Sequence, residues 1–371
     1  MKELISFKNP KLVKEILEKL KRFNNEDITI MEVCGTHTMS ILKSGLKELL
    51  PQNIRLISGP GCPVCVTPQE YIDMAIELCK KENVIITTFG DLVRVPGTYS
   101  SLQKEKALGR DIRVVFSPLD SLEIAKSNLD KEVVFLGVGF ETTAPIIALT
   151  VYNAKEKGID NLSVLNSLKT MPNVMKSLVS NKELKVDGFI CPGHVAAVIG
   201  AEAFENLSIE EKLPLVIAGF EPLDIISAIY RLVEMKANGE SKLENLYTRI
   251  VKNKGNEKAL NILNTVFQLS DSKWRGLGII EGTGFKFKED YKNYDTKNKF
   301  NINIVNSQIN KGCICREILR GVKEPYDCKL YGKVCTPLTP IGACMVSEEG
   351  TCAAYYKYIE MSIIDLLKSE Y

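Results

Sequence analysis

The chain has 371 residues, of which 45% are hydrophobic and 25% are charged, an ordinary composition for a globular protein. Its 48 Lys and Arg nearly balance its 46 Asp and Glu, and the net charge of +2 excludes a strong field for nucleic acid or an anionic membrane. At about 100–200 residues per domain, the length predicts two or three domains.

Residues 1–25 begin with the amphipathic, charge-rich stretch MKELISFKNPKLVKEILEKLKRF. It predicts a helix, which we expect to pack on the C-terminal domain, and it lacks the continuous apolar region of a signal peptide. No run in the chain reaches the roughly 18 apolar residues that span a bilayer. We therefore expect a cytosolic protein without a membrane partner, in a compartment that keeps thiols reduced.

Short apolar, β-branched runs then recur along the chain, and amphipathic helical patterns separate most of them. This alternation predicts an α/β fold with mostly parallel sheets. The predicted strands are Ile28–Val33, Ile54–Ser58, Val84–Thr88, Ile112–Phe116, Val133–Val138, Gly188–Cys191 and Leu215–Ala218. The predicted helices include Pro68–Lys81, Ala144–Lys157 and Leu223–Met235.

These strands can form one sheet or two smaller ones. The long interval between Val138 and Gly188 and the chain length fit two units at least as well as one, so we expect two small parallel-sheet α/β domains followed by a C-terminal cysteine-rich domain. We place the domains at residues 26–118, 119–270 and 271–371. Residues 236–270 are polar with a helical pattern, and residues 290–310 predict an irregular connection.

Polar, Gly-rich turns follow the predicted strands, where open α/β sheets bind ligands. Any strand-to-helix turn also needs Gly and N-cap residues, so a single turn decides little. The turns are Cys34-Gly-Thr-His37, Gly59-Pro-Gly-Cys62-Pro-Val-Cys65, Phe89-Gly-Asp91, Gly139-Phe-Glu141-Thr-Thr143, Pro192-Gly-His194 and Gly219-Phe-Glu221-Pro. As a set, they predict a site at one sheet edge.

Eleven cysteines in a cytosolic protein indicate metal ligands or redox groups rather than a disulfide framework. Six of them lie between Cys313 and Cys352, in a stretch that Gly and Pro interrupt too often for a packed apolar core. Three more occupy the turns described above. Cys79 lies on an apolar helical face and is expected in the core, whereas Cys191 at a strand end is ambiguous.

The C-terminal cysteines predict a metal centre. Soft thiolates select zinc, copper(I) or iron–sulfur clusters, and four suffice for zinc or a cubane cluster. This segment lacks the close Cys-x-x-Cys pairs of structural zinc sites, and its long, uneven spacings favour iron–sulfur, with zinc as the alternative. The two surplus thiols can act as a dithiol–disulfide relay. No Cys-x3-Cys-x2-Cys string exists, which argues against a radical S-adenosylmethionine enzyme.

The motif Cys62-Pro-Val-Cys65 alone is compatible with a redox, a metal-binding or an incidental role. Thr67-Pro68-Gln-Glu70 has the pattern of a capping box with Pro at the first helical position, which places Cys65 just before a helix N-terminus. The helix dipole favours a thiolate there, so we expect a lowered pKa for Cys65.

Cys34 and His37 lie three residues apart on a Gly turn and can ligate one metal or activate a thiolate, unless their proximity is incidental. The chain has only two histidines, and both His37 and His194 follow a strand in a turn. Glu141 is either a helix N-terminal carboxylate with Thr caps or an acid, base or substrate contact beside the thiols.

Taken together, these strings resemble the hydrogenase maturation factor HypD family. One departure is Met39, where some members have a second His; it weakens a role for position 39 but not for His37. The resemblance spans Met31 to Cys352 and rests, in the family's order, on Met31-Glu-Val-Cys-Gly-Thr-His37, Gly59-Pro-Gly-Cys-Pro-Val-Cys65 with Pro68, Gly139-Phe-Glu-Thr-Thr143, Pro192-Gly-His-Val195 and the cysteine segment.

The resemblance implies the ligands of a [4Fe-4S] cluster. The family's Cys-x14-Cys-x6-Cys-x16-Cys pattern selects Cys313, Cys328, Cys335 and Cys352. Cys315 and Cys344 then match the family's redox-active pair beside the cluster, an arrangement similar to ferredoxin–thioredoxin reductase.

The resemblance also implies a role. With the small chaperone HypC, such proteins assemble the Fe(CN)2CO group of [NiFe]-hydrogenase, and HypE supplies the cyanide as a thiocyanate. The transient iron is held between the N-terminal cysteine of HypC and the cysteine that matches Cys34. His37 and His194 are expected to donate or accept protons. The chain would then be a redox-active assembly scaffold, monomeric alone, rather than a conventional turnover enzyme.

The expected electron route runs from the cluster through Cys315–Cys344 to Cys62–Cys65 by thiol–disulfide exchange. As an alternative, a ferredoxin-linked thiol–disulfide oxidoreductase acting on protein disulfides would use the same cysteines without needing Cys34. A structural zinc protein with an interaction surface is a third interpretation, which visible charge-transfer absorbance would exclude.

Overall fold

Two parallel sheets and one antiparallel hairpin organise the chain in this computed structural model, which describes residues 9–23, 26–180, 183–302 and 307–358. The strands are β1 Ile28–Glu32, β2 Ile54–Ser58, β3 Val84–Thr88, β4 Ile112–Val114, β5 Glu132–Gly139, β6 Leu162–Leu168, β7 Gly188–Pro192, β8 Leu215–Ala218, β9 Leu243–Asn245, β10 Phe267–Trp274 and β11 Gly278–Phe287.

Helices connect nearly all of these strands. The α-helices are Pro10–Leu20, Gly35–Lys43, Leu46–Leu49, Pro63–Val66, Gln69–Cys79, Gly90–Val93, Leu102–Ala107, Asp120–Lys126, Ala144–Glu156, Met171–Val179, Gly193–Ile199, Glu205–Glu211, Pro222–Ala237, Glu257–Val266, Thr296–Lys299 and Cys315–Leu319. Residues 351–358 are also helical. Short 3-10 turns occur at Glu202–Phe204, Glu289–Tyr294, Pro325–Asp327 and Ala343–Met345.

The first sheet has the strand order β2-β1-β7-β8-β9 and the second has the order β4-β3-β5-β6. All neighbours in both sheets are parallel, for example Ile30 of β1 opposite Leu56 of β2. The α/β prediction with two small parallel sheets is therefore confirmed. Each parallel pair needs a crossover connection, which explains the alternation of helices and strands in the sequence.

The strand pairing divides the chain differently from the predicted boundary at residue 118. The second sheet, β3 to β6, lies between β2 and β7 in the sequence, and β7 then returns to pair with β1. The first unit is therefore discontinuous, and the second is inserted into it. A local pattern does not reveal this, because β1 and β7 contact each other only through long-range pairing, as at Met31 and Phe189.

Several elements were missed or displaced in the sequence prediction. The segment from Leu162 to Leu168 is the edge strand β6, and residues 236–270 hold β9 and a helix at Glu257–Val266 rather than continuous helix. Ile112–Phe116 shortens to Ile112–Val114, because the pairing ends where Val114 lies opposite Thr88, the last residue of β3; Phe116 beyond it is almost fully exposed. Of the predicted irregular connection at residues 290–310, the described parts, 290–302 and 307–310, are irregular apart from short helical turns, and residues 303–306 lie outside the described part.

The N-terminal helix Pro10–Leu20 packs on the helix Pro222–Ala237 of the first unit, and its hydrophobic cluster includes none of the described residues of the cysteine-rich segment, on which we expected it to pack. Leu17 and Leu20 enter one hydrophobic cluster with strand residues such as Ile30. The amphipathic pattern predicted the helix, but tertiary packing determines which element its apolar face contacts. Among the described residues, no helix is both long and apolar enough to cross a bilayer.

The largest hydrophobic cluster lies between the two sheets and the cysteine-rich segment. It contains residues of the first sheet such as Ile57, residues of the second sheet such as Val134, and the cysteines Cys65, Cys315 and Cys344. The cysteines of the N-terminal turn and of the C-terminal segment are thus buried together. They lie far apart in the sequence, since 278 residues separate Cys65 from Ala343, the residue before Cys344.

Candidate functional site

The carboxyl edge of the first sheet gathers most of the predicted turns. Cys34 follows β1, the Cys62–Cys65 turn follows β2, His194 follows β7 and Phe220 follows β8. Because these strands are parallel, their carboxyl ends share one edge. Glu141 follows β5 in the second sheet instead.

Cys34 is the N-cap residue of the helix Gly35–Lys43 and is only 8% exposed. Its backbone N–H donates to Oε2 of Glu32 at 2.9 Å, and the hydroxyl of Thr38 donates to the other oxygen of that buried carboxylate at 2.5 Å. Burial raises the pKa of the Cys34 thiol to about 12, and the charges of Glu349 and Glu32 add to this rise. The thiol is therefore protonated at neutral pH unless a metal displaces its proton.

His37 lies in the first turn of that helix and is fully buried. Its Nε2 lies 2.9 Å from the carbonyl oxygen of Gly219, so Nε2 carries the proton, and among the described residues its buried Nδ1 has no partner. Burial lowers the pKa of His37 to about 4. The ring is therefore neutral at physiological pH, with Nδ1 as a free hydrogen-bond acceptor.

Phe220 brings the two histidines together. Its ring centroid lies 4.7 Å from that of His37 and 4.0 Å from that of His194. His194 is exposed at the surface, although partial burial of its ring lowers its pKa. Both histidines therefore belong to one edge, as their shared position after a strand predicts; Phe220 lies in the predicted turn Gly219-Phe-Glu221-Pro, but the sequence did not single out its side chain.

Glu349 reaches this edge from the cysteine-rich segment, and sequence reasoning missed it. Its carboxylate accepts a hydrogen bond from the hydroxyl of Thr36 at 2.9 Å, and its charge acts on Cys34 and His194. Gly35 permits the close approach, because an added Cβ there would lie 2.4 Å from Cβ of Glu349. Only the fold could reveal this contact, since 313 residues separate Thr36 from Glu349.

Gly61 supports the Cys34 turn from the neighbouring strand end. Its carbonyl accepts the N–H of Gly35 at 3.2 Å, and an added Cβ would meet the backbone N and Cα of Cys34 at 2.4 and 2.6 Å. We expect Gly61→Ala to lower the free energy of unfolding by about 1–3 kcal/mol, because backbone atoms cannot yield as a flexible side chain can. Denaturant unfolding measures this loss.

The matched control for Gly61→Ala is Gly90→Ala. An added Cβ at Gly90 meets only Val114 Cγ1, at an ordinary 3.8 Å. We expect Gly90→Ala to change the free energy of unfolding by less than about 0.5 kcal/mol. Equal losses in the two variants would contradict the tight contact between the two turns.

Cys62 and Cys65 lie at the single helical turn Pro63–Val66, where the N–H of Cys65 donates to the sulfur of Cys62 at 3.4 Å. The predicted capping box does not form: the Thr67 hydroxyl donates to the carbonyl of Pro63 instead. Burial raises the pKa of the Cys65 thiol well above its ordinary value, so the expected lowering is wrong. Desolvation of a fully buried thiol outweighs the field of the helix N-terminus nearby.

The six C-terminal cysteines line one cavity. Gly342 lies so close to Cys313 that an added Cβ would be 2.7 Å from the sulfur of Cys313. The cavity is lined by Cys313, Cys315, Ile318, Cys328, Leu330, Tyr331, Cys335, Gly342, Cys344, Met345 and Cys352. The cysteines that the spacing marked as a group therefore meet in space.

Cys315 and Cys344 lie side by side, with 2.9 Å between their sulfurs. Cys344 also contacts Cys65, and Cys65 contacts Cys62. The Cys65 sulfur lies 3.9 Å from the carbonyl oxygen of Ala343. One run of adjacent thiols thus connects the Cys-x-x-Cys turn with the C-terminal cysteines.

The thiol-lined cavity fits a metal group by the chemistry of its donors. In the part of the chain that the structure describes, no three His, Cys, Asp or Glu side chains converge closely enough to hold a single metal ion. The four cysteines assigned by the resemblance nevertheless line one cavity with apolar walls, and thiolates are the donors of iron–sulfur clusters. This donor set is compatible with a group larger than a single ion.

Glu141 is buried at the edge of the second sheet. Its Oε1 accepts hydrogen bonds from the Thr170 hydroxyl and, at 2.8 Å, from the N–H of Met171, whereas no described group pairs with Oε2. Burial raises the pKa of Glu141 to about 7 from 4.5. Its described hydrogen-bond partners include no cysteine or histidine, so the structure does not bring it into the thiol run.

The raised pKa of Glu141 makes folding depend on pH. The folded chain binds this proton more tightly than the unfolded chain, so the stabilisation is fully present below about pH 4.5 and is lost as pH rises through about 7. We expect Glu141→Gln to reduce the fall in the free energy of unfolding between about pH 5 and about pH 8. Part of the pH dependence of the free energy of unfolding should remain in this variant, because burial also raises the pKa of Glu32 to about 7.

The control for this pH dependence is Glu123→Gln. The hydrogen bond from Lys126 lowers the pKa of this exposed carboxylate, so its titration lies below the tested range. Urea unfolding at the two pH values should therefore show the same fall in the free energy of unfolding in this variant as in the parent chain. The same fall in Glu141→Gln as well would exclude Glu141 as a source of the pH dependence.

The HypD family model, described as the Hydrogenase formation hypA family, matches residues 11–359. The chain belongs to the HypD family. The hydrogenase maturation factor HypD of Rhizobium leguminosarum bv. viciae is 43% identical over 368 residues, 96% of each chain. Proteins of the same name are 44% identical over 345 residues in Cupriavidus necator, 91% of each chain, and 40% identical over 366 residues in Escherichia coli K12, 96% of this chain and 98% of the relative.

Membership of the HypD family agrees with the resemblance drawn from the turns and the cysteine segment. The match covers both parallel units and all six cysteines of the thiol-lined cavity. The names of the relatives support a role in hydrogenase maturation.

Proposed function

We propose that this HypD-family protein, together with a HypC-like chaperone, scaffolds assembly of the Fe(CN)2CO group in the cytoplasm and receives cyanide from a HypE-like donor. The observation that carries the proposal is the run of thiols Cys62, Cys65, Cys344 and Cys315. It begins in the turn whose Gly61 touches Cys34. The proposed metal ligand and the first two thiols of the proposed relay thus follow neighbouring strands, β1 and β2.

In this proposal, Cys34 is the ligand that this chain offers to the iron, which is cargo rather than a resident cofactor. A bound metal removes the thiol proton. Glu32 is placed to take it, because its carboxylate lies against the Cys34 backbone and burial raises its pKa to about 7. The S–H bond breaks, the iron–sulfur bond forms and the proton moves to Glu32, so one negative charge passes from Glu32 to the sulfur and the total charge is unchanged.

Cys62 and Cys65 supply the electrons that release cyanide from a thiocyanate. The dithiol and the donor's S–CN group react to give the donor thiol, HCN and a Cys62–Cys65 disulfide, which balances atoms and two electrons. Burial of Cys65 keeps its proton in place until the substrate arrives. The reaction therefore needs the donor's cysteine to come close to the Cys62–Cys65 turn.

The contact between Cys65 and Cys344 supports the next exchange. Cys344 attacks Cys65 and forms a mixed disulfide, which Cys315 resolves; the result is a Cys62–Cys65 dithiol and a Cys315–Cys344 disulfide. A [4Fe-4S] cluster held by Cys313, Cys328, Cys335 and Cys352 would, when bound, supply single electrons beside this pair.

Protons are exchanged through His194 rather than His37 in this scheme. His37 stays neutral at physiological pH, since its pKa is about 4 and its Nε2–H is engaged by Gly219. His194 is exposed and senses the charge of Glu349, which also acts on Cys34. The two histidines thus differ in role despite their similar motifs.

Infrared spectroscopy of the chain copurified with a HypC-like chaperone tests the proposal. We expect cyanide and carbonyl stretching bands in the complex when a HypE-like donor is coexpressed. The bands should be absent without that donor. Reduction of protein disulfides in the absence of any such bands would instead favour the thiol–disulfide oxidoreductase.

A further inference from the structure

A second cavity, of about 440 Å³, lies between the turn of the β10–β11 hairpin and the C-terminal cysteines Cys313 and Cys315. Its size lies within the range that binds small molecules. It is lined by Gln69, Pro96, Gly97, Thr98, Tyr99, Arg275, Gln308, Ile309, Asn310, Lys311, Cys313, Cys315, Pro340, Ile341 and Gly342. It therefore reaches Cys315, one half of the Cys315–Cys344 pair.

Arg275, at the tip of the hairpin, places a buried guanidinium at this cavity. It is only 6% exposed. Its Nε donates to the carbonyl of Thr67 at 2.8 Å and its Nη1 donates to Gln69 at 2.9 Å, but the buried Nη2 has no partner among the described residues. An unpaired donor on a buried cation is costly, so this atom points to an acceptor supplied from elsewhere.

Both charged side chains that line the cavity are cations, and the nearby Asp73 carboxylate is engaged by hydrogen bonds from Thr98 and Ser307. Arg275 and Lys311 line it, and none of its described lining residues is Asp or Glu. The charge of Glu70 does reach Arg275, but the Glu70 carboxylate is paired with Lys273 at 2.5 Å. The cavity is therefore suited to an anion, and a carboxylate matches the planar donors of a guanidinium.

The walls of the cavity are held together without the ligand. The N–H of Gln308 donates to the Thr98 hydroxyl at 2.9 Å, and the N–H of Thr98 donates to Asp73 at 2.7 Å. The backbone N–H of Arg275 donates to the carbonyl of Val66, next to Cys65, at 2.8 Å. The cavity is thus built from the same contacts that join the hairpin to the Cys-x-x-Cys turn.

We propose that this cavity binds a small carboxylate-bearing thiol, held by Arg275 and Lys311, which reduces an oxidised Cys315–Cys344 pair. The assignment rests on the proposed function, in which that pair becomes a disulfide. A first thiolate attacks Cys315 and displaces the Cys344 thiolate; a second attacks the mixed disulfide and releases Cys315. Two thiols lose two electrons and become one external disulfide, and the pair takes up two protons.

Kinetics of reduction test the proposal. The full chain is oxidised, treated with mercaptosuccinate or with neutral 2-mercaptoethanol, and quenched by alkylation for peptide mapping of Cys315 and Cys344. We expect Arg275→Gln to slow mercaptosuccinate about tenfold, because a charged hydrogen bond is lost, and to slow 2-mercaptoethanol less than about twofold. Succinate, which has no thiol, should inhibit mercaptosuccinate in the parent chain.

A second variant keeps the test valid if Arg275→Gln does not fold. Lys311 is exposed, so Lys311→Gln should fold normally and slow mercaptosuccinate about threefold, in keeping with a partly screened charge. Equal slowing of both thiols, or unchanged rates with mercaptosuccinate in both variants, overturns the anion site.

Failure of the proposed function gives a different result. If oxidation never joins Cys315 to Cys344 in the peptide map, the relay fails for every thiol. The anion site is then judged alone by titration of the single tryptophan, Trp274, which precedes Arg275. Saturable fluorescence change with succinate that Arg275→Gln and Lys311→Gln weaken supports the site, and its absence in the parent chain excludes it.

Discussion

Cys34→Ala is expected to abolish iron retention by the complex with a HypC-like chaperone and to remove the cyanide and carbonyl bands. Alanine has no ligand atom, and the neighbouring Glu32 carboxylate already accepts hydrogen bonds from the Cys34 N–H and the Thr38 hydroxyl. Metal analysis and infrared spectra of the copurified complex measure the effect. The fold should survive, because the loss of one sulfur from a small buried side chain costs about 1 kcal/mol.

The matched control for this prediction is Cys191→Ala. Cys191 is fully buried in β7 of the same sheet, and burial raises the pKa of its thiol, as it does for Cys34. We expect this variant to retain iron at the parent level. Retention by Cys34→Ala would exclude Cys34 as the iron ligand, and loss in both variants would indicate a general defect of the sheet.

Cys344→Ala is expected to keep the visible absorbance of a cluster and to abolish maturation. The resemblance assigns the cluster to four other cysteines, so the ligand set stays complete. Cys344 is the thiol that contacts both Cys65 and Cys315, so the exchange between the two pairs loses its only described bridge. Hydrogenase activity in a complemented strain, read beside the absorbance of the purified chain, measures both effects.

Cys79→Ala provides the comparison for Cys344→Ala. Its sulfur is buried in the helix Gln69–Cys79 and donates to the carbonyl of Ile76, without a thiol partner among the described contacts. It should retain both maturation and absorbance. Normal maturation in Cys344→Ala would exclude the relay, whereas loss of its absorbance would make Cys344 a cluster ligand.

Local patterns predicted the elements that surround the site with good accuracy. The helix predicted at Ala144–Lys157 is observed at Ala144–Glu156, and the strand Val84–Thr88 is observed with the same bounds. Buried parallel strands appear as continuous apolar runs, so their positions are visible in the sequence. The edge strand Leu162–Leu168 was missed, because its Asn166 and Ser167 interrupt such a run.

Non-local contacts decided the arrangement of the domains. The inserted position of the second sheet depends on β7 pairing with β1. Glu349 and Arg275 also escaped sequence reasoning, because each acts through residues that lie close only in the fold. Arg275, for example, contacts Thr67 across 208 residues.

The sequence by itself determined that the protein is an α/β chain with polar turns after its strands, and that six C-terminal cysteines belong together. These properties follow from residue type and local spacing. Tertiary structure decided the protonation of the site: burial raises the pKa of Cys34 and Cys65 and lowers that of His37. Desolvation is summed over every residue that packs around a group, so it outweighed the helix-terminus effect that the local sequence suggested.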